Sequence, residues 1–373
     1  MRRALQMLAL AGAAALAGCS LFSDKPKPAP LEAITPKIAG TQVWSARVDS
    51  VRFPLEIAVA GGSFTVAGSD GEVKVLNAAD GRELWHAATG EPITAGVGSD
   101  GKTAAVVTRD NEVVAMNASG VLWRHALKSR VATAPLVAGD RVFVMGVDRA
   151  VHAFDAKDGR YLWVLDHPGD ALTLAEPSVL AAFKDTLLVG QGPRLTGVDP
   201  LRGTVRWEVA IASPRGTNEI ERLADLVGPA TRSGNVICAR AFQTTVGCAD
   251  AERAALVWNK NYGGTQAIGA DAEYVFAGDA NDKLTAWSAT SGESVWSNER
   301  FLHRALSGIL STGKVVVFGD YEGQVSFLSR DKGETLLRLP TDGSPVVGAP
   351  AMSADGTVLV ATRNGGLFAF RLQ

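Results

Sequence analysis

From Gly40 onward the chain alternates β-branched residues with small ones in short runs, and Gly, Asp or Asn breaks each run after a few positions. TVAGSDGEVKVL is typical, with strand-length runs on both sides of a turn. Turns containing Gly cut every run before it reaches helical length. The period of two therefore predicts short strands and argues against a helical solenoid. The pattern also recurs as a unit: a run, a Gly/Asp/Asn turn, a second run ending in a small acidic or polar residue, a Gly turn, and Trp four residues after that Gly. The clearest copies are EVKVLNAADGRELW (Glu72 to Trp85), AVHAFDAKDGRYLW (Ala150 to Trp163) and KLTAWSATSGESVW (Lys283 to Trp296).

Weaker copies complete the series. EVVAMNASGVLW is one residue shorter and ends at Trp123, RLTGVDPLRGTVRW ends at Trp207, and TVGCADAERAALVW has lost its turn Gly and ends at Trp258. QVSFLSRDKGETLL puts Leu337 at the Trp position, and a partial first copy ends at Trp44. The markers at 44, 85, 123, 163, 207, 258, 296 and 337 are 41, 38, 40, 44, 51, 38 and 41 residues apart. A period near forty with four short strands per unit is the size of a propeller blade. The expectation is an all-β fold: an eight-bladed β-propeller of four-stranded blades spanning 38–373. GLFAFRLQ at the C-terminus starts a repeat with no outer strand left, and TQVWSARV is an outer strand with nothing before it. Pairing the two in one blade closes the ring. In such a ring Trp44, Trp85, Trp123, Trp163, Trp207, Trp258 and Trp296 each pack on the neighbouring blade and set the blade spacing.

The first residues read differently. Met1-Arg2-Arg3 and the apolar run Ala4 to Ala17 make 1–18 a signal peptide, too short to span a bilayer. Leu16-Ala17-Gly18-Cys19 is similar to the lipobox of bacterial lipoproteins, which implies a lipidated Cys19 at the start of the mature chain. Ser20 after the cysteine implies delivery to the outer membrane, so the expected location is lipid-anchored there and facing the periplasm. Residues 19–37 carry Pro26, Pro28, Pro30 and Pro36 and predict an extended, poorly packed tether. Composition, at 46% hydrophobic and 20% charged, is that of a folded globular chain. Loss of Arg2 and Arg3 leaves 35 basic against 39 acidic residues, and no basic run argues for nucleic acid as a partner.

Assembled chemistry is hard to find. Gly96-Val97-Gly98-Ser99-Asp100-Gly101 matches GxGxxG, but a strand-like KTAAVVT follows where a phosphate loop needs a helix. The five histidines lie far apart, and Asp279 with Asp282 fits a hairpin turn better than a calcium loop. Cys238 and Cys248 face each other across a predicted hairpin turning near Gln243. They form either a structural disulfide or two small buried thiols. VHAFDAKDGRYLW resembles the tryptophan-docking repeat of quinoprotein dehydrogenases, yet the adjacent Cys pair and the extra length of those enzymes are missing. The expectation is a binding protein with no cofactor, no metal site and no catalytic residues. A quinone-dependent dehydrogenase and a glycan- or ligand-binding lipoprotein are the alternatives.

The two longest intervals are consecutive and place two enlarged connections on one face. The first holds Asp170-Ala171-Leu172-Thr173-Leu174-Ala175-Glu176, the second Glu219-Ile220-Glu221-Arg222-Leu223-Ala224-Asp225. Leu172 and Leu174 are either loop anchors for a partner or the start of the next inner strand. The lipobox, the eight repeats, the Leu-Thr-Leu and Glu-Ile-x-Arg-Leu-x-Asp loops and Leu302-His303-Arg304 together resemble the BamB family, lipoprotein subunits of the outer-membrane β-barrel assembly machinery. That resemblance implies docking on the POTRA domains of BamA through Leu172, Leu174, Arg222 and Asp225. It also implies association with other Bam subunits and a hand in placing unfolded outer-membrane proteins. The chain departs from the family at Ala175, where Arg is frequent, and at Val227, where a second acid is frequent.

Overall fold

The computed structural model describes residues 26–167, 172–213 and 223–373, so the expected signal peptide 1–18 and the expected lipidation site Cys19 lie outside the described residues. The described residues contain strands and turns with no helix, and the strands form eight four-stranded antiparallel sheets. Blades 1 to 7 occupy 58–88, 93–126, 136–165, 180–210, 226–261, 269–298 and 310–340, and within each the strands run in sequence order from one edge to the other. Blade 8 combines 346–372 with the strand Gly40–Arg47, which lies antiparallel to Gly366–Leu372 with Gly40 opposite Leu372 and Arg47 opposite Gly366. This is the closure the two half-repeats predict.

Why each run takes its place follows from its faces. Second strands such as Ser63–Ala67, Ala104–Thr108, Val315–Gly319 and Val358–Thr362 are buried at almost every position, because a blade on each side covers both faces. Outer strands such as Glu83–Ala88 keep mostly exposed side chains. The core therefore lies between blades: Phe64 of blade 1, Val106 of blade 2 and Leu359 of blade 8 belong to one apolar cluster.

The tryptophans show how neighbouring blades are spaced. The indole N–H groups of Trp44, Trp123, Trp163, Trp258 and Trp296 donate to the carbonyls of Ala78, Ala156, Pro200, Ala289 and Arg330 in the following blade, at 2.7–3.1 Å. Each ring lies over a glycine of that blade's last turn: Gly81, Gly159, Gly203, Gly292 or Gly333. A Cβ there would stand 2.6–2.7 Å from the ring, and the glycines have φ of 67–72°. Both the contact and the backbone thus exclude a side chain. One buried hydrogen bond contributes about 1 kcal/mol, and the buried ring adds about 2 kcal/mol.

Trp85 and Trp207 depart from this role, and among the described residues neither indole donates to the next blade. Trp85 faces the shortened turn of blade 2, which ends at Gly120 with φ 108°. Trp207 faces the blade 5 turn whose Gly is replaced by Ala254 at φ 53°, and it folds over Gly197 of its own blade instead. Leu337 faces blade 8, where the two chain ends meet and no turn exists, and its Cδ2 packs against Gly40.

Two more braces act within and between blades. Cys238 and Cys248 are register partners, bonded to each other with Cα atoms 4.0 Å apart. Arg240, 1% exposed, donates to the carbonyls of Gln266, Tyr262 and Gly278, joining blade 5 to blade 6. Burial pushes its pKa down to about 10.

The tether expectation needs correcting over its described part. Residues 26–37 have no regular structure, but they lie against blades 6 and 7. Ala29 N–H donates to Leu302 O at 2.9 Å, Lys37 N–H to Leu336 O at 2.8 Å, and Arg338 donates to Glu32 O at 2.9 Å. Leu31 joins the apolar cluster of Phe276 and Phe318. Proline removes N–H donors, yet the remaining backbone groups find partners on the propeller surface.

Candidate docking face

Connections that leave an outer strand for the next inner strand share one face with the turns between second and third strands. Described parts of the two long connections, 172–179 and 223–225, are neighbours on it, joined through Leu174 and Asp225. The inner strand of blade 4 starts at Leu180, so Leu172 and Leu174 precede it and belong to the connection. Leu172 is 37% exposed, and Leu174 is half-buried. This settles the strand-or-loop alternative in favour of loop.

The loop is held by a device with no local sequence signal. Arg149, in the blade 3 turn between Met145 and Val151, donates from Nη2 to Asp225 Oδ1 at 2.6 Å. The other oxygen of Asp225 accepts the Leu174 N–H at 2.8 Å. One carboxylate thus joins a turn of blade 3, the connection from blade 3 to blade 4 and the connection from blade 4 to blade 5. Both side chains are nearly buried, at 8% and 11% exposure. A buried pair of this kind earns its geometry through hydrogen bonds as well as charge. Ser178 extends the brace, its N–H donating to Thr133 Oγ1 and its hydroxyl to Gly190 O.

Of the residues the resemblance implies, the structure brings Leu174 and Asp225 into direct contact and places Leu172 on the same loop. Arg222, like Asp170, Ala171 and Glu219 to Glu221, lies outside the described residues. Asp225 has its carboxylate turned inward, and what it fixes at the surface is the backbone of Leu174. Ala175 is exposed beside the leucines, and Val227 is buried at the start of blade 5. Among the described residues, no group of three or more His, Cys, Asp or Glu is placed to hold a metal. Asp279 caps its own hairpin by accepting the N–H groups of Asn281 and Lys283.

The described residues form a ring of eight four-stranded blades, five of its seams spaced by a Trp on a turn glycine, with a braced loop that leaves Leu172 exposed on one face. Comparison with known proteins makes the assignment specific. A family profile described as outer membrane protein assembly factor BamB matches residues 69–298. The BamB of Bordetella pertussis is 34% identical over 97% of this chain and 95% of its own length. The chain belongs to the BamB family. The crystal structure of BamB from Moraxella catarrhalis superposes with a TM-score of 0.79 at 21% identity, over 89% of this chain and all of that one. Quinohemoprotein alcohol dehydrogenase from Comamonas testosteroni shares the ring, with a TM-score of 0.68 at 15% identity over 89% of this chain and 76% of that one. That likeness is one of fold.

Proposed function

We propose that this chain is a non-enzymatic scaffold for assembly of outer-membrane β-barrel proteins, anchored through a lipidated Cys19 in the outer membrane and facing the periplasm. It binds the POTRA domains of BamA through Leu172 and Leu174, with Arg222 on the neighbouring connection and Asp225 holding the loop from beneath. The observation that carries this reading is the exposed Leu172 on a loop whose backbone is pinned by the buried Arg149–Asp225 pair. A pre-ordered apolar anchor binds without the cost of ordering a loop. The names of its relatives supply the assembly role.

A second feature suits unfolded β-barrel substrates. Outer edge strands expose Leu84, Val121, Tyr161, Val205, Leu256 and Val295, each 41–46% accessible, beside unpaired backbone groups. Strand addition at such edges would hold an extended segment. The test is purification of the anchored protein from membranes: the wild type brings BamA with it, and Leu172→Glu plus Leu174→Glu loses it. Retention of BamA by that double variant at wild-type levels would falsify the docking surface.

A further inference from the structure

Beside the Leu172–Ala175 loop and on the same face, a cavity of about 450 Å³ opens over blades 1 to 3, with Ala175 as part of its wall. Arg52, Arg109 and Arg130 line it. Their backbones are fixed: Arg52 N–H donates to Ser69 Oγ, Arg109 N–H donates to Pro92 O, and Arg130 O accepts from Val147 N–H, each at 2.8 Å. Among the described residues nothing fixes their guanidinium groups in the same way. Among the described residues no carboxylate oxygen lies within 4 Å of any of the three, whereas Arg124 of blade 2 is held by both Glu91 and Glu112.

Chain order along the face separates the charges. Asp49, Arg52 and Asp70 stand at the blade 8–blade 1 end, and Asp70 already caps its own turn by accepting the Glu72 N–H. Arg109 and Arg130 come next, and Ala175 follows with its methyl group. The half of the cavity adjoining the leucine loop is therefore cationic, over a floor of the buried Phe53 and Ile93. Arginine forks pair with carboxylates through two parallel hydrogen bonds, and the apolar floor gives the stems of a bound segment a surface to lie on.

We infer that this cavity receives an acidic segment of the same protein that binds Leu172 and Leu174, with its carboxylates on Arg109 and Arg130 and then on Arg52. The inference rests on the docking reading above and adds the charge of the partner surface that continues past the leucines. Leucines anchor the complex, and the arginines give it register and a salt-dependent association rate.

The test uses the full-length chain in detergent micelles, a labelled hexaglutamate peptide and the BamA POTRA region, at 50 and 500 mM NaCl. Hexaglutamate binds at low salt, hexalysine does not, and Arg109→Gln plus Arg130→Gln weakens hexaglutamate at least tenfold. The same variant weakens the POTRA region about tenfold at 50 mM and much less at 500 mM, where screening shortens to a few ångströms. Both arginines are exposed, so an unchanged melting temperature checks that the variant is folded. Leu172→Glu plus Leu174→Glu loses the POTRA region and keeps hexaglutamate. Failure of the wild type to bind hexaglutamate, or equal binding of either ligand by the arginine variant, overturns the inference. POTRA binding that ignores the leucines but needs the arginines overturns the docking reading and supports the cavity.

Discussion

Two places on the same face use a buried arginine in the same way and do opposite things with the result. Over blades 3 to 5, Arg149 grips Asp225, and the loop it steadies leaves Leu172 open to solvent. Over blades 6 and 7, Arg304 grips Asp320 at 2.8 Å and also Glu322, while its third nitrogen donates to Ala29 O at 2.9 Å. There the chain covers the site with its own N-terminal segment. Arg304 and Asp320 are both under 5% exposed, and the Arg304 guanidinium holds the Glu322 carboxyl below its usual range. The propeller face thus has one seat covered by the chain itself and one whose loop stays open to solvent.

Removing the arginine at the occupied seat is expected to have the largest effect. Arg304→Met leaves Asp320 buried without a cation and takes the donor from Ala29 O, while Ala29 N–H keeps Leu302 O. The expected loss is about 4 kcal/mol in urea unfolding, with faster proteolysis between residues 26 and 38. At the open seat Asp225→Ala strands Arg149 and releases Leu174 N–H, for an expected loss of about 3 kcal/mol. Faster hydrogen exchange at 172–176 with unchanged exchange at 26–38 would show that the two seats are independent.

Glu56 sharpens the comparison because it is a half-buried acid with no cation beside it among the described residues. Burial pushes its pKa up to about 7 from 4.5. A raised carboxyl means that the folded state holds its proton after the unfolded chain has released it. Stability from this group therefore falls as pH rises from about 4.5 to 7, and the cost is complete above that. Glu56→Gln is expected to stabilise by about 2 kcal/mol at pH 8 and to change little at pH 4, read as urea midpoints across that range. The smallest stability effect belongs to Leu172→Glu, within about 0.5 kcal/mol, since the side chain already meets water. Its effect on BamA binding is expected to be at least thirtyfold, measured by titration with the POTRA region.

The sequence made the ring legible because its rules are local. The spacing of Trp and Gly, the half-repeat at each end and even the exceptions were visible in single copies of the repeat. The shortened turn facing Trp85, the lost glycine facing Trp207 and Leu337 at the seam all trace to the blade that follows. Leu172 and Leu174 were visible as an enlarged connection, although only the start of the next strand at Leu180 separates loop from core. Arg149 was not legible, since it meets Asp225 across 76 residues and looks like any polar turn residue. The packed N-terminal segment was hidden for a related reason. Ala29, Glu32 and Lys37 attach through backbone groups, and composition does not report where a carbonyl finds its donor.

The central claim is that one seat is open and the other is filled. A photo-crosslinking amino acid placed at Leu172, with a second chain carrying it at Ala33 in the exposed part of the N-terminal segment, tests that claim in intact membranes. The account predicts an adduct with BamA from position 172 and none from position 33. An adduct from position 33 alone would contradict it, because the partner would then bind over the seat that the chain already covers.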